Sequence, residues 1–239
     1  NNFMKIRSSG LFFIRDLHHL IKIPRQKITF CSHHLSHCLS NYPYLHQINN
    51  HAAIVVDGVG DRDTTSVYKI QNGNAELIYS QQYPHSVGLM YSAVTDYLGF
   101  NINDGEYKLM ALAAYGTGEM DERFSEMVLG DVDGKFNIEA FDFYRSTKRS
   151  YGNCFINKFG PPGDKLSKFP DIGSKEFQRR AEIAHATQTL AEKIVAGIFT
   201  DTHNSTGVTR FTISGGVALN SKLIMYLSDL SFVDELFVS

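Results

Sequence analysis

An α/β fold is what this sequence predicts, and three observations carry the prediction. VTRFTISGG (208–216), VALNSKLIMYL (217–227) and FVDELFVS (232–239) read as strand, helix and strand, an order that implies a parallel pair with a right-handed crossover. HAAIVVDG (51–58) is a short apolar run stopped by Asp-Gly, and behind it TTSVYKI (64–70) and AELIYSQQY (75–83) flank Gln71-Asn72-Gly73-Asn74. Asn-Gly between β-rich runs is a strong hairpin signal, so three antiparallel neighbours are expected here. Between these strand regions lies a long helical pattern, from about 175 to 203.

The remaining elements follow in order. VGLMYSAVTDYLGF (87–100) sets Leu89, Ala93, Val94 and Tyr97 at helical spacing, with Gly99 as the stop. DGEYKLMALAAYG (104–116) and the more polar MDERFSEMVLG (120–130) are two further helices. Residues 131–173, centred on Gly160-Pro161-Pro162-Gly163, read as an irregular insertion. Ser174 can cap the long helix, whose inner stripe is Phe177, Ala181, Ala184, Thr187 or Gln188, Ala191 and Ile194 or Val195. Its small residues suit close packing on a sheet.

The 239 residues suffice for a sizeable core, and 43% apolar with 20% charged residues is ordinary for a globular protein. A net charge of -2 gives no support for nucleic acid or an anionic membrane surface as partner. Three cysteines, Cys31, Cys38 and Cys154, have no paired spacing, which argues for a reducing compartment and a cytoplasmic location. No apolar run reaches the roughly 18 residues that cross a bilayer. The chain does not begin with Met, and we read it as a fragment.

Chemistry concentrates in CSHHLSHC (31–38). His33 and His37 are four apart, so on a helix capped by Ser32 they project from one face and suit a shared transition metal; surface or core histidines share that spacing. Cys31 and Cys38 do not fit a zinc finger, since no second ligand pair follows. Asp57 serves equally as a turn residue or as a carboxylate joining the two imidazoles, a set that suits iron(II), manganese or zinc. Gly58 and Gly60 in DGVGD (57–61) would let bare backbone approach a phosphate. SGGVALN (214–220) is a second glycine turn opening a helix, suited to an anion or nucleotide, or simply to tight strand-to-helix packing. In GEYKLMALAAYG, Lys108 stands at a helix start, either reaching a phosphate or solvated with Glu106.

Taken in order, HHLSH, HAAIVVDGVGD, SVGLMYSAVTDYLGF, GEYKLMALAAYG and SGGVALN resemble the carbamoyltransferase family of the nodulation-factor and antibiotic O-carbamoylating enzymes, over roughly residues 28–239. The resemblance implies an actin-like, sugar-kinase-like (ribonuclease H-like) ATPase fold. Residues 1–50 would be the tail of a first lobe with the metal-ligand helix. Residues 51–239 would be most of a second lobe, with its insertion at 131–173. A YrdC-like adenylate-forming domain, a first phosphate loop and a further aspartate ligand would lie outside this chain, leaving it inactive alone.

Such enzymes use carbamoyl phosphate and ATP to make carbamoyl adenylate, releasing pyrophosphate, and pass the carbamoyl group to a hydroxyl of a small acceptor of sugar or natural-product type. Carried over, the metal ligands would be His33, His37 and Asp57, with iron(II) the expected ion and zinc or manganese the alternatives. Gly58, Gly60, Ser214, Gly215 and Gly216 would hold phosphate and adenosine, with Asn220 on the nucleotide side and Lys108 a phosphate partner. His34 would be the base that takes the acceptor's proton, or a structural residue. Two other readings remain: an actin-like ATPase or sugar kinase without an imidazole-bound metal, and a catalytically inactive nucleotide-binding relative. The residues name neither the acceptor nor an oligomeric state.

Overall fold

A computed structural model describes residues 20, 22–28, 30–40, 50–129, 135–137, 140–141 and 149–239. The chain divides into two units, Asn1–Ser32 and His33–Ser239. The first carries a single 3-10 turn, Arg25–Lys27, among its described residues. In the second, α1 (His33–Ser40) precedes β1 (His51–Gly60), β2 (Asp63–Gln71) and β3 (Asn74–Gln82). Helices α2 (Val87–Tyr97), α3 (Glu106–Ala113), α4 (Asp121–Val128), α5 (Asn153–Phe159) and α6 (Lys175–Thr206) follow. The chain then runs through β4 (Arg210–Ser214), a 3-10 turn (Gly216–Leu219), α7 (Ser221–Ser228) and β5 (Glu235–Val238).

The five strands form one mixed sheet in the order β3-β2-β1-β4-β5. β1 to β3 are antiparallel neighbours, as the Asn-Gly turn predicts, while β4 pairs in parallel with both β1 and β5. β1 is therefore central, and its inward and outward residues separate cleanly. Ala52, Ile54 and Val56 enter a large core with residues of α2 to α7. Ala53 and Val55 face the other way, onto a small cluster with Cys38, Tyr68, Ile70 and the partly buried Leu35. That period of two is the expected signature of a strand covered on both faces.

Ser86 caps α2 by accepting from Leu89 N–H, and Ser174 caps α6 by accepting from Phe177 N–H; Gly207, in the left-handed region at φ 70°, ends α6. Each cap satisfies backbone groups that the first or last helical turn leaves without partners. The expected inner stripe of α6 is buried at Phe177, Ala181, Ala184, Thr187, Gln188, Ala191 and Val195, with Ile194 partly buried against the core.

Two expectations need correction. Segment 131–173 is not irregular throughout: Asn153–Phe159 form α5, and Phe155 and Phe159, one turn apart, both enter the core. Residues 131–134, 138–139 and 142–148 of that segment lie outside the described residues. The helix expected from Val217 starts instead at Ser221, because the Asn220 side chain accepts from Leu223 N–H at 3.0 Å and caps it. α1 falls in the same unit as the sheet, the boundary lying between Ser32 and His33. Among the described residues no helix is long and apolar enough to cross a membrane.

Candidate metal centre

A register shift in β1 prepares the site. Val56 pairs with Thr65 and Gly60 with Asp63, so three residues of β1 oppose one of β2 in a bulge holding Asp57, Gly58 and Val59. Such bulges re-aim side chains at strand ends. On the other side β4 leaves the ladder after Ser214, opposite Val55, and turns through Gly215 and Gly216 beside the bulge. Gly215 is in the left-handed region at φ 93°, and a Cβ there would collide with the Val56 carbonyl, so close approach of the two turns requires glycine.

Asp57 is the meeting point. Its Oδ1 accepts from the amides of Gly58 (2.8 Å) and Gly216 (3.2 Å). Its Oδ2 lies 2.8 Å from His33 Nε2 and 3.5 Å from His37 Nε2. Burial by itself would raise the Asp57 carboxyl, but the bonds from His33 and the two amides outweigh it and hold the group below the usual carboxylate range. The Asp57 carboxylate is thus held in one orientation by the two turns. Ser86, 1% exposed, donates to the carbonyls of Asp57 (3.1 Å) and Gly58 (2.7 Å), hooking the start of α2 to the same bulge.

The two imidazoles arrive from α1 one turn apart, with their Nε2 atoms 3.1 Å from each other. His33, His37 and Asp57 each offer one ligand atom, all within 4.8 Å of one another. Bonds of about 2.0–2.2 Å to one ion at angles of about 90–110° place neighbouring ligands about 2.8 to 3.6 Å apart, and the separations of 2.8, 3.1 and 3.5 Å fall in that range. The donor chemistry agrees. A hydrogen on His33 Nε2 serves Asp57 but leaves the His37 lone pair facing a ring nitrogen that cannot donate to both; one cation satisfies all three. The His33 and His37 side chains are 44% and 33% exposed, so the trio opens to solvent on one side.

The other expected site residues fall differently. His34 is 1% exposed, with Nδ1 2.7 Å from Ser66 Oγ and Nε2 buried without a partner, and burial lowers its pKa. The role of base is therefore corrected: an acceptor hydroxyl cannot reach a ring sealed between α1 and β2. Gly60 lies beneath the histidines, where a Cβ would come within 2.6 Å of the His33 ring and 2.8 Å of the His34 ring. Its bare backbone makes room for imidazole, where the sequence suggests phosphate. The Gly58 and Gly216 amides point at Asp57, and Ser214 is buried.

Asn220 is occupied internally. Its carboxamide exchanges bonds of 2.8 and 3.1 Å with that of Gln188 while capping α7, and Tyr91 donates to Gln188 at 2.9 Å. The ammonium of Lys108 lies over the rings of Tyr107 and Phe100 and makes no contact with the trio among the described residues. Sequence reasoning missed Asp61, Ser66, Ser86 and Gln188. Only Asp61, closing D-G-V-G-D, left a local signal.

This site geometry coincides with a family match. The model described as carbamoyltransferase N-terminus covers residues 8–239. The chain belongs to the carbamoyltransferase N-terminal family. Among relatives of this domain, the uncharacterized protein sll1178 of Synechocystis is 33% identical over 199 residues, 81% of this chain and 31% of its own length. Nodulation protein NolNO of Sinorhizobium fredii is 26% identical over 220 residues, 91% of this chain and 29% of its own. The uncharacterized protein MJ1051 of Methanocaldococcus jannaschii is 27% identical over 204 residues, 83% of this chain and 36% of its own. This carbamoyltransferase-family domain thus spans about a third of the length of these relatives.

Proposed function

We propose that this domain is the acceptor-side, metal-holding part of an enzyme that carbamoylates a hydroxyl of a small molecule, of sugar or natural-product type. Carbamoyl phosphate is hydrolysed to carbamate with release of inorganic phosphate, the carbamate displaces pyrophosphate from ATP to give a carbamoyl adenylate, and AMP leaves when the hydroxyl attacks the carbamoyl carbon. The domain would be the larger part of one lobe of an actin-like ATPase fold. The observation that carries the reading is the convergence of His33, His37 and Asp57 at the mouth of two glycine turns, in a chain of this family.

A divalent cation held by those three side chains, iron(II) first and zinc or manganese next, would supply Lewis-acid neutralisation of a phosphate's charge. The protein's own part is preorganisation. The Gly58 and Gly216 amides keep Asp57 ionised and aimed, so no rearrangement is needed when an anionic ligand arrives. Because these amides serve Asp57, nucleotide phosphate would approach from the open side of the trio rather than sit against them. The ATPase or sugar-kinase alternative fits less well, since magnesium in phosphoryl transfer is held through oxygen and water rather than imidazole.

The test uses the protein in its natural full length, purified without air, as native and His37→Ala forms. Elemental analysis should find about one iron, zinc or manganese per chain in the native protein and a near-complete loss in the variant. Equal metal in both would remove His37 from the ligand set. Separately, pyrophosphate release from ATP should depend on carbamoyl phosphate; ATP turnover indifferent to it would favour the kinase-like alternative.

A further inference from the structure

The helix that carries two of the three ligands is poorly equipped to hold itself in place. α1 has eight residues, HHLSHCLS, whereas isolated helices shorter than about 12–15 residues are marginal in water. Histidine, serine and cysteine add little propensity. Its apolar anchorage is also slight: among its residues only the partly buried Leu35 and the buried Cys38 join the small cluster on the sheet. A ligand constellation must nonetheless be held to within about 0.5 Å to bind well. Rotation of α1 by one residue, about 100°, would carry both imidazoles off Asp57.

Polar contacts from the β1–β2 hairpin hold the helix instead. Asp61, in the left-handed region at φ 53°, turns its carboxylate onto the first residue of α1, and its Oδ2 accepts from His33 N–H at 3.0 Å. That bond satisfies one of the helix's unpartnered amides and sets a negative charge at the positive end of its dipole. One residue on, His34 reaches the other way and binds Ser66 of β2 at 2.7 Å, fully buried. Gly60 lies directly under both rings. The same hairpin therefore carries Asp57 and the contacts that place the other two ligands relative to it.

We infer that Asp61 and His34 are positioning residues of the metal centre, holding α1 in the register that brings His33 and His37 onto Asp57. The inference rests on the proposed role of His33, His37 and Asp57 as metal ligands. Asp61 works through the His33 amide, and His34 through its bond to Ser66. Neither touches the ion. The second aspartate of D-G-V-G-D thereby becomes a helix clamp.

The test uses the natural full-length protein, stripped of metal and titrated with cobalt(II), whose visible absorption reports ligand number and geometry. Asp61→Gly removes the carboxylate without straining the left-handed backbone, and Ser66→Ala removes the partner of His34. Each should weaken cobalt binding about tenfold or more, the range for groups that orient metal ligands, and alter the absorption bands. Asp61→Asn keeps an acceptor and tolerates the same backbone, and should recover most of the affinity. Unchanged affinity and spectrum in both Asp61→Gly and Ser66→Ala, even with a lower melting temperature of the metal-free protein, would overturn the inference and leave the clamp merely structural. Should Asp61→Gly fail to fold, Ser66→Ala, a single hydroxyl removed, decides by itself. His37→Ala separates the two ideas. Its loss of cobalt beside an unaffected Asp61→Gly and Ser66→Ala sinks only the positioning role; a native protein that binds no cobalt sinks both.

Discussion

The two faces of the sheet are built on different principles. On one, Ala52, Ile54, Val56 and Val67 meet side chains of six helices, α2 to α7, in a continuous core that includes Phe155, Phe199 and Phe211. On the other, among the described residues, one eight-residue helix rests on a small cluster of Ala53, Val55, Tyr68 and Ile70, held by Asp61, Ser66 and the space above Gly60. Area-driven burial is non-directional and tolerant of small shifts. Hydrogen bonds are directional and cost most when left half-made. The first face therefore specifies that the domain folds, and the second specifies where the donor atoms of His33, His37 and Asp57 stand. Truncating a side chain in the six-helix core should lower stability, whereas disturbing the seat of α1 should lower metal affinity.

The largest stability effect should come from Phe155→Ala. The ring is fully buried and touches those of Tyr97, Phe124, Phe141 and Phe159. Removing it should cost about 3–5 kcal/mol, read by denaturant unfolding, while any folded fraction keeps native metal affinity. A loss under about 1 kcal/mol, typical of a surface site, would mean that α5 is not part of the core and that an irregular insertion at 131–173 is the better description.

Gly60→Ala should do the reverse. A methyl group there collides with the His33 and His34 rings, so α1 must lift or rotate. Metal affinity is expected to fall by about a hundredfold, the upper end for groups that orient metal ligands, with a change in unfolding free energy of only about 1–2 kcal/mol. Native affinity in this variant would show that the rings have room to move, and the contrast between the faces would fail at its most specific point.

The smallest effect concerns a surface clamp at the head of α6. Glu176 is held at a pKa of about 2 by its hydrogen bonds to Arg179 and then Arg180. Those arginines bind the carbonyls of Phe159, Pro161 and Leu98, tying the glycine-proline segment to the end of α2. A carboxylate depressed on folding contributes stability that is complete above its ordinary pKa near 4.5 and is lost as pH falls toward 2. With the Glu176 side chain 39% exposed, solvent screening leaves only a fraction of the shift as stability, about 1 kcal/mol or less. The melting temperature of Glu176→Gln should therefore lie slightly below native above about pH 5 and converge on it as the pH falls toward 2. A gap independent of pH would assign the effect to packing.

Much of this division was legible locally. The i, i+4 spacing of His33 and His37 follows from helix geometry alone, as do the cap at Ser174 and the Asn-Gly hairpin from local residue chemistry. Alternation along HAAIVVDG shows that Asp57 shares a face with Ala53 and Val55. α5 escaped because seven residues between Gly152 and Gly160 hold only one pair of phenylalanines at helical spacing, too short a pattern to separate from the aromatics around it. The role of base for His34 came from its place beside His33 and His37 in the sequence, whereas its spatial neighbour is Ser66, 32 residues away.

What the sequence by itself determined, then, is most of the elements and the donors able to share an ion, because both depend on periodicities that close within a turn or a pleat. The tertiary structure alone decided which donors meet. Asp57 reaches His33 across 24 residues because a bulge between Val56 and Gly60 turns it out of the ladder, and Gly216 fixes it across 159 because β4 pairs beside β1. The glycines suggested a phosphate loop, yet their amides serve an aspartate of the same chain. Register and bulge are set by the packing of whole strands against both faces, and no window of a few residues contains them.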